Sequence, residues 1–320
     1  MAYALDIFRQ CFFIPKPILT ETNLPDQIGR IAIVTGGYSG AGKELSRILH
    51  KCNASVYIAG RSQAKYDEAA ASIKEACPRS KGRLAFLNLD LSDLSTIKPA
   101  AEAFMRQEKE LHVLKNNAGA IQTPVRSRTK QGIELQMGTN VLGHLLFTKH
   151  LEPVLRRTAQ NAPPGRVRVT WASSIIASMK APEGGIAFSA DGTPKVLGDP
   201  VSDYAQSKAA NYLLAREFSK RLHADGILSV AFNPGQLATQ SSPNDSWTLK
   251  VATRIFAYEA VCGAYVELFA GWANEVGEAG NENQFVVPWG RFGALSDGLK
   301  NSEKGEELWN WCEQQCQPFL

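Results

Sequence analysis

The sequence predicts an α/β protein built on one doubly wound parallel sheet, and three observations carry that reading. Apolar, β-branched runs recur along the 320 residues, helical patterns separate them, and a glycine cluster, "TGGYSGAG" at 35–42, directly follows the first run. Each parallel crossover needs a helix to return the chain, so strands alternating with helices indicate a parallel sheet covered on both faces.

In chain order the runs are "RIAIVTG", "ASVYIAG", "RLAFLNLD", "LHVLKNNAG", "RVRVTWASS", "ILSVAFNPG" and "QFVVPWG", which predicts seven parallel strands. After the first, Gly36, Gly37, Gly40 and Gly42 can take backbone angles closed to other residues. "KELSRILHKC" then sets Leu45, Ile48, Leu49 and Cys52 at helical spacing. The first N–H groups of such a helix lack partners within it and point at what precedes them, which suits a phosphate. A tight turn would need the same glycines, so the loop alone leaves nucleotide binding open.

Two stretches interrupt the rhythm. Residues 1–28 read as an arm laid over the surface, too rich in proline to be helical along its length, and residues 29–320 read as a single domain without a linker. Residues 178–203, between the fifth run and the next helix, read as a long inserted loop, a length more often functional than idle. The region at about 240–262, after the sixth run, supplies Trp247, Phe256 and Tyr258; with Met179 and Phe188 of the inserted loop it predicts an apolar or aromatic substrate.

With 44% hydrophobic and 21% charged residues the chain can bury a large core. Its net charge of +4 is small and the basic residues are scattered among acids, which argues against nucleic acid as a partner. Six cysteines without a CxxC pair read as reduced thiols of a cytoplasmic protein, and Cys312 and Cys316 as one packing face rather than a metal site. No run approaches the ~18 apolar residues of a membrane span, so no membrane insertion is expected. Homo-oligomerisation stays open.

"YAQSK" sets Tyr204 and Lys208 four apart at the start of an amphipathic helix, on one face. An ammonium beside a phenol favours phenolate. A shift of ~3 units from the ~10 of free tyrosine would let Tyr204 exchange a proton near neutral pH. Ser173 and Ser174 end the fifth run, at the sheet edge that carries the glycine loop.

In these motifs the chain resembles the short-chain dehydrogenase/reductase family over nearly its whole length. The TGxxxGxG pattern is met by Thr35, Gly36, Gly40 and Gly42, NNAG by 116–119, YxxxK by Tyr204 and Lys208, and PGxxxT by Pro234, Gly235 and Thr239. The "TETNLPDQIG", "GAYVELFAG" and "VVPWGRFG" segments look like the fungal retinol-dehydrogenase-like branch. The resemblance implies a single Rossmann-type domain and a catalytic group of Asn140, Ser174, Tyr204 and Lys208. It further implies a nicotinamide dinucleotide held by Thr35, Gly36, Ser39, Gly40, Gly42, Asp90, Leu91, Asn117, Ala118, Gly119, Tyr204, Lys208, Pro234, Gly235 and Thr239. Tyr204 would protonate a carbonyl oxygen that Ser174 holds, Lys208 would lower the phenol's pKa and bind the nicotinamide ribose, and Asn140 would anchor a water.

The second run ends in Gly60, Arg61 and Ser62, with no acid for a ribose 2′-hydroxyl. Arg61 therefore points to NADP(H), against the plain alternative of a solvated arginine. Two departures from the family stand out: Lys115 where an apolar residue is usual, and an interval of about 30 residues between Ser174 and Tyr204. An NADPH-dependent oxidoreductase that reduces a carbonyl of a lipophilic or aromatic small molecule, or oxidises the corresponding alcohol, in secondary metabolism, is the leading expectation. A fold repurposed for non-redox cyclisation or dehydration and an idle NADPH-binding sensor are the alternatives.

Overall fold

A computed structural model describes residues 2–121, 123–237, 258–278 and 285–320. The apolar runs become β1 (Ile31–Thr35), β2 (Ser55–Gly60), β3 (Arg83–Asn88), β4 (Val113–Asn116), β5 (Val167–Ala172), β6 (Ile227–Phe232) and β7 (Phe285–Val287). The helices are α1 (Ala2–Cys11), α2 (Gly40–Lys51), α3 (Gln63–Ala76), α4 (Ile97–Gln107), α5 (Gly143–Asn161), α6 (Ile175–Lys180), α7 (Pro200–Leu222) and α8 (Ala260–Trp272). Three more follow: α9 (Asn274–Glu278), α10 (Asp297–Lys300) and α11 (Lys304–Cys316).

The sheet order is β3-β2-β1-β4-β5-β6-β7-β8, parallel except for the last pair. Its direction of winding reverses between β1 and β4, which opens the crevice where doubly wound folds bind ligands. The eighth strand, Arg291–Phe292, corrects the expected seven: Gly290 at φ 85° turns the chain back antiparallel onto β7. Two residues are too short to register as an apolar run.

Alternate strand residues feed opposite cores. Ile33, Tyr57, Leu114 and Trp171 pack with α4, α5, α7 and α11, whereas Ala32, Val34, Val56 and Val113 pack with α2, α3 and α8. A third cluster joins Ala172 and Phe232 to Val266, Phe269 and Ala270 of α8. Cys312 and Cys316 are both fully buried, in the first cluster.

The arm is helical only up to Cys11, ahead of Pro15 and Pro17. Gln10, 2% exposed, donates to Ala294 O at 3.1 Å and accepts from Asn233 Nδ2 at 3.2 Å. The Tyr258 hydroxyl donates to Cys11 O at 3.1 Å. The inserted loop is shorter than 178–203, because α6 takes up its start and Asp199 caps α7, accepting from Ser202 N at 3.0 Å. What remains is tied down: Lys304 Nζ donates to Glu183 O and Ile186 O, both at 2.7 Å, and Asp203 accepts from Leu197 N at 2.7 Å.

Gln10→Ala should lower unfolding free energy by about 1–3 kcal/mol, the range for breaking buried hydrogen bonds and leaving a group unmatched. Urea denaturation measures this, and an unchanged midpoint would mean that α1 contributes nothing to the domain.

Candidate active site

The site grows from the C-terminal end of β1. The Thr35 hydroxyl, fully buried, accepts from Asn117 N and Ala118 N, each at 2.9 Å, so it fixes the loop after β4 to the loop after β1. Asn117 Nδ2 donates to Thr35 O at 3.0 Å. A side chain at Gly36 (φ 68°) would press on Ala118, and a Cβ at Gly42 would come within 2.7 Å of Asn117 Nδ2 and 3.0 Å of Gly36 O. Glycine is required at both positions because two backbones meet here.

Past these glycines lies a cavity of about 510 Å³. One wall is the start of α2, with Gly36, Ser39, Gly40 and Gly42; Asp90 and Leu91 after β3, and Asn117, Ala118 and Gly119 after β4, form another. Pro234 closes it after β6. Gly235 lies beside it at φ 89°, packed on Trp289, while Thr239 lies outside the described residues. Ser39 makes no side-chain cap to α2, so the helix presents its first N–H groups to the cavity. Thr139 adds a hydroxyl that lines the cavity, shielded from water and with no partner among the described residues. A glycine cradle, free helix N–H groups and an orphan hydroxyl fit the phosphates and ribose of a dinucleotide.

At the end of β2 the lining includes Arg61 and, beyond it, Lys65 on the first turn of α3. Tyr38 covers Gly60, where a Cβ would fall 2.3 Å from its ring. Lys65 and Tyr38 were not assigned from sequence; the signal available was a second cation four residues after Arg61.

Asn140 sits in a π-helical turn, Met137–Leu142, ahead of α5. Its amide accepts from Ala120 N at 2.7 Å and donates to Ser207 Oγ at 3.0 Å, tying the end of the β4 loop to α7. A Cβ on Gly119 would meet Lys208 Nζ at 3.3 Å and Asn140 Oδ1 at 3.4 Å, so the structure brings these two together around one glycine. His144 links the same turn to Thr35: its Nδ1 is 3.0 Å from Asn140 O and its Nε2 3.0 Å from Thr35 Oγ1. Burial holds His144 down at about 4, so the ring is neutral. A carbonyl only accepts, so Nδ1 carries the proton and Nε2 faces the Thr35 hydroxyl as an acceptor.

The two serines are distinguished by their partners. Ser173 lines the cavity, but its hydroxyl donates to Lys208 O at 2.8 Å. Ser174 caps α6, accepting from Ile176 N at 3.4 Å, which leaves its own proton to give.

Tyr204 and Lys208 both line the cavity, Nζ lying 5.4 Å from the ring centroid. The expected acidification of the phenol is not what these surroundings produce. Burial pushes Tyr204 well above the usual tyrosine value, and burial holds Lys208 down at about 8 with Glu267 opposing it. Lys208 Nζ donates to Ala172 O at 2.9 Å and so is oriented toward the strand end. Of the residues expected to line a substrate mouth, Trp247 and Phe256 lie outside the described residues. Phe188 packs against the core, Tyr258 stacks edge-on against Trp289, and Met179 is exposed.

A doubly wound sheet with a glycine-rich phosphate cradle and a phenol–ammonium pair beside it defines a nucleotide-binding oxidoreductase. The family model described as short chain dehydrogenase matches residues 30–248, and the chain belongs to the short-chain dehydrogenase/reductase family. A short-chain dehydrogenase/reductase of Phomopsis amygdali is 41% identical over 325 residues, covering 96% of each chain. Another, of Neocamarosporium betae, is 42% identical over 96% of this chain and 92% of its own. Among solved structures, Pseudomonas aeruginosa RhlG in an NADP active-site complex has a TM-score of 0.60 at 25% identity, over 78% of this chain and 91% of its own. An NADH-dependent reductase complexed with NAD shares the fold, with a TM-score of 0.60 at 22% identity over 83% and 96%. These comparisons support the family, not its retinol-dehydrogenase-like branch in particular. Among the described residues no helix is long and apolar enough to cross a membrane.

Without cofactor, Tyr204 should remain a phenol beyond the ~10 of an ordinary tyrosine. The pH-dependent absorbance difference between the protein and Tyr204→Phe reads this directly, and phenolate already present at pH 8 would show that burial is not the controlling influence.

Proposed function

We propose that the protein is a cytoplasmic NADPH-dependent reductase of a carbonyl on a lipophilic or aromatic small molecule, of the kind made in secondary metabolism. The observation that carries the reading is the pairing of the Tyr204 phenol with the buried Lys208 amine at the dinucleotide cavity, Nζ lying 5.4 Å from the ring centroid. Arg61 and Lys65, with no acid at the end of β2, support a 2′-phosphorylated nucleotide.

When bound, the reduced nicotinamide supplies the hydride. The chain's own residues do the rest. The glycine loop and the α2 N-terminus would hold the phosphates, and Arg61 with Lys65 would meet the ribose phosphate. Tyr204 gives its proton to the carbonyl oxygen, which suits a phenol kept protonated by burial. Ser174 donates a hydrogen bond to that oxygen as its charge develops. Lys208 stabilises the tyrosinate left behind, and Asn140 keeps α7 in register with the β4 loop through Ser207 and Ala120, in addition to the water-anchoring role its family position implies.

On cofactor choice, NADPH should bind at least ~10-fold more tightly than NADH, since a charge-assisted hydrogen bond to phosphate contributes ~1.5–3 kcal/mol. Arg61→Ala should narrow the gap; equal affinities in the unmutated protein, measured by titration, would remove the basis for the NADPH preference.

On chemistry, Tyr204→Phe should lower turnover of lipophilic ketones by about 10²–10⁴-fold while NADPH affinity stays within about a few-fold. Lys208→Met should weaken both, and Ser174→Ala turnover alone. Near-normal turnover in Tyr204→Phe would place the proton donor elsewhere. Product formed without nucleotide oxidation would instead favour a repurposed, non-redox site.

A further inference from the structure

Helix α8 is apolar along its whole length, "AVCGAYVELFAGW", except for one acid. Glu267 is fully buried, and neither carboxylate oxygen has a hydrogen-bond partner among the described residues. Such a carboxylate is costly unless nearby charge compensates it. Two buried lysines lie in this region. Lys115, on β4, donates from Nζ to the Glu267 backbone carbonyl at 2.9 Å and lies 4.3 Å above the Phe232 ring centroid. Lys208 donates to Ala172 O, and Ala172 is the register partner of Phe232 on β6. Ala172 and Phe232 pack in one cluster with Val266, the neighbour of Glu267. Lys115 thus reaches the helix of Glu267 directly, and Lys208 reaches a strand end that packs in one cluster with the residue beside Glu267.

We propose that Glu267 is a positioning residue whose buried carboxylate is the counter-ion that keeps Lys208 charged beside Tyr204, with Lys115 as the second cation sharing it. The proposal rests on the reading of Tyr204 and Lys208 as the reacting pair. It accounts for both anomalies of this region, a lysine in a central parallel strand and an acid in an apolar helix, as members of one buried group.

The charged and titratable neighbours are few. The charges of Glu267 on α8 and of Lys208 on α7 act on one another, Lys115 of β4 also acts on Glu267, and Lys208 acts on His144 of α5; Tyr204, on the helix of Lys208, has its ring centroid 5.4 Å from Nζ. Arg168 of β5 acts on Lys115, and it is engaged with Ala270 O at 3.2 Å and Ala273 O at 2.8 Å. From α2, Ala41 packs against Gly263, one turn before Glu267. Both lysines pull Glu267 down while burial raises it to about 7, and Glu267 in turn supports Lys208 against its own burial.

The test is titration of Lys208 by NMR of the full chain labelled with ¹³Cε-lysine, without cofactor, the resonance being identified by its loss in Lys208→Met. In Glu267→Gln the Lys208 midpoint should fall by about one unit or more, tenfold in proton affinity, and Glu267→Asp should restore most of it. A folded Glu267→Gln with an unchanged Lys208 midpoint would overturn the proposal. If the glutamine variant does not fold, linkage supplies the reciprocal measurement: with ¹³Cδ-glutamate label, Lys208→Met must raise the Glu267 midpoint by a like amount, and no movement overturns the proposal equally. Failure of the reductase reading is separable, since it would appear as absent nucleotide oxidation with the lysine shift intact.

Discussion

The hydroxyl of Thr35 is the point on which the site's geometry depends. It stands at the end of the central strand, receives two backbone N–H groups from the loop after β4, and has two acceptors in reach for its own proton, Lys115 O at 3.1 Å and His144 Nε2 at 3.0 Å. Through His144 it reaches the π-helical turn that carries Asn140, and through Asn140 the helix that carries Tyr204 and Lys208. One buried side chain therefore fixes the nucleotide cradle relative to the phenol. All of these groups are polar and inside the protein, where each unmatched partner would be costly, so the network tolerates little displacement.

Electrostatics in this corner are governed by burial rather than by the proximity of Lys208 to Tyr204. An ammonium directed at a carbonyl of the sheet edge does little to acidify a phenol 5.4 Å away at the ring centroid, and desolvation keeps that phenol protonated. A protonated donor and a charged neighbour are the states from which the proposed carbonyl reduction would begin. The same desolvation weakens the proton affinity of Lys208, which makes the acid on α8 consequential.

The surroundings of the cavity are held from several directions. The loop after α6 is bound by Lys304 near the C-terminus and by Gln206 of α7, which accepts from Ala187 N at 2.9 Å and donates to Lys195 O at 2.8 Å. The arm is joined to the sheet edge through Gln10, and to α8 through Tyr265, whose hydroxyl donates to Glu21 at 2.9 Å. An insertion that reads from the sequence as a long loop is thus anchored by contacts far away in sequence.

Local features were legible because local chemistry carries them. Alternation within β1 and β2, helical spacing at Leu45, Ile48 and Leu49, the glycines at Gly36 and Gly42, and the four-residue step from Tyr204 to Lys208 each depend on neighbours within a turn or a strand. The sequence by itself therefore determined the order of strands and helices, the glycine cradle and the face of α7 that carries Tyr204 and Lys208. The tertiary structure alone decided what Lys115 does, since the carbonyl it meets is 152 residues away, and which serine has its proton committed, since Ser173 donates to a helix 35 residues on. It likewise decided the two-residue β8, the π-helical turn at Asn140, and whether Tyr204 is acidified. Desolvation and hydrogen-bond direction depend on the complete packed surroundings of an atom, and no spacing along the chain encodes them.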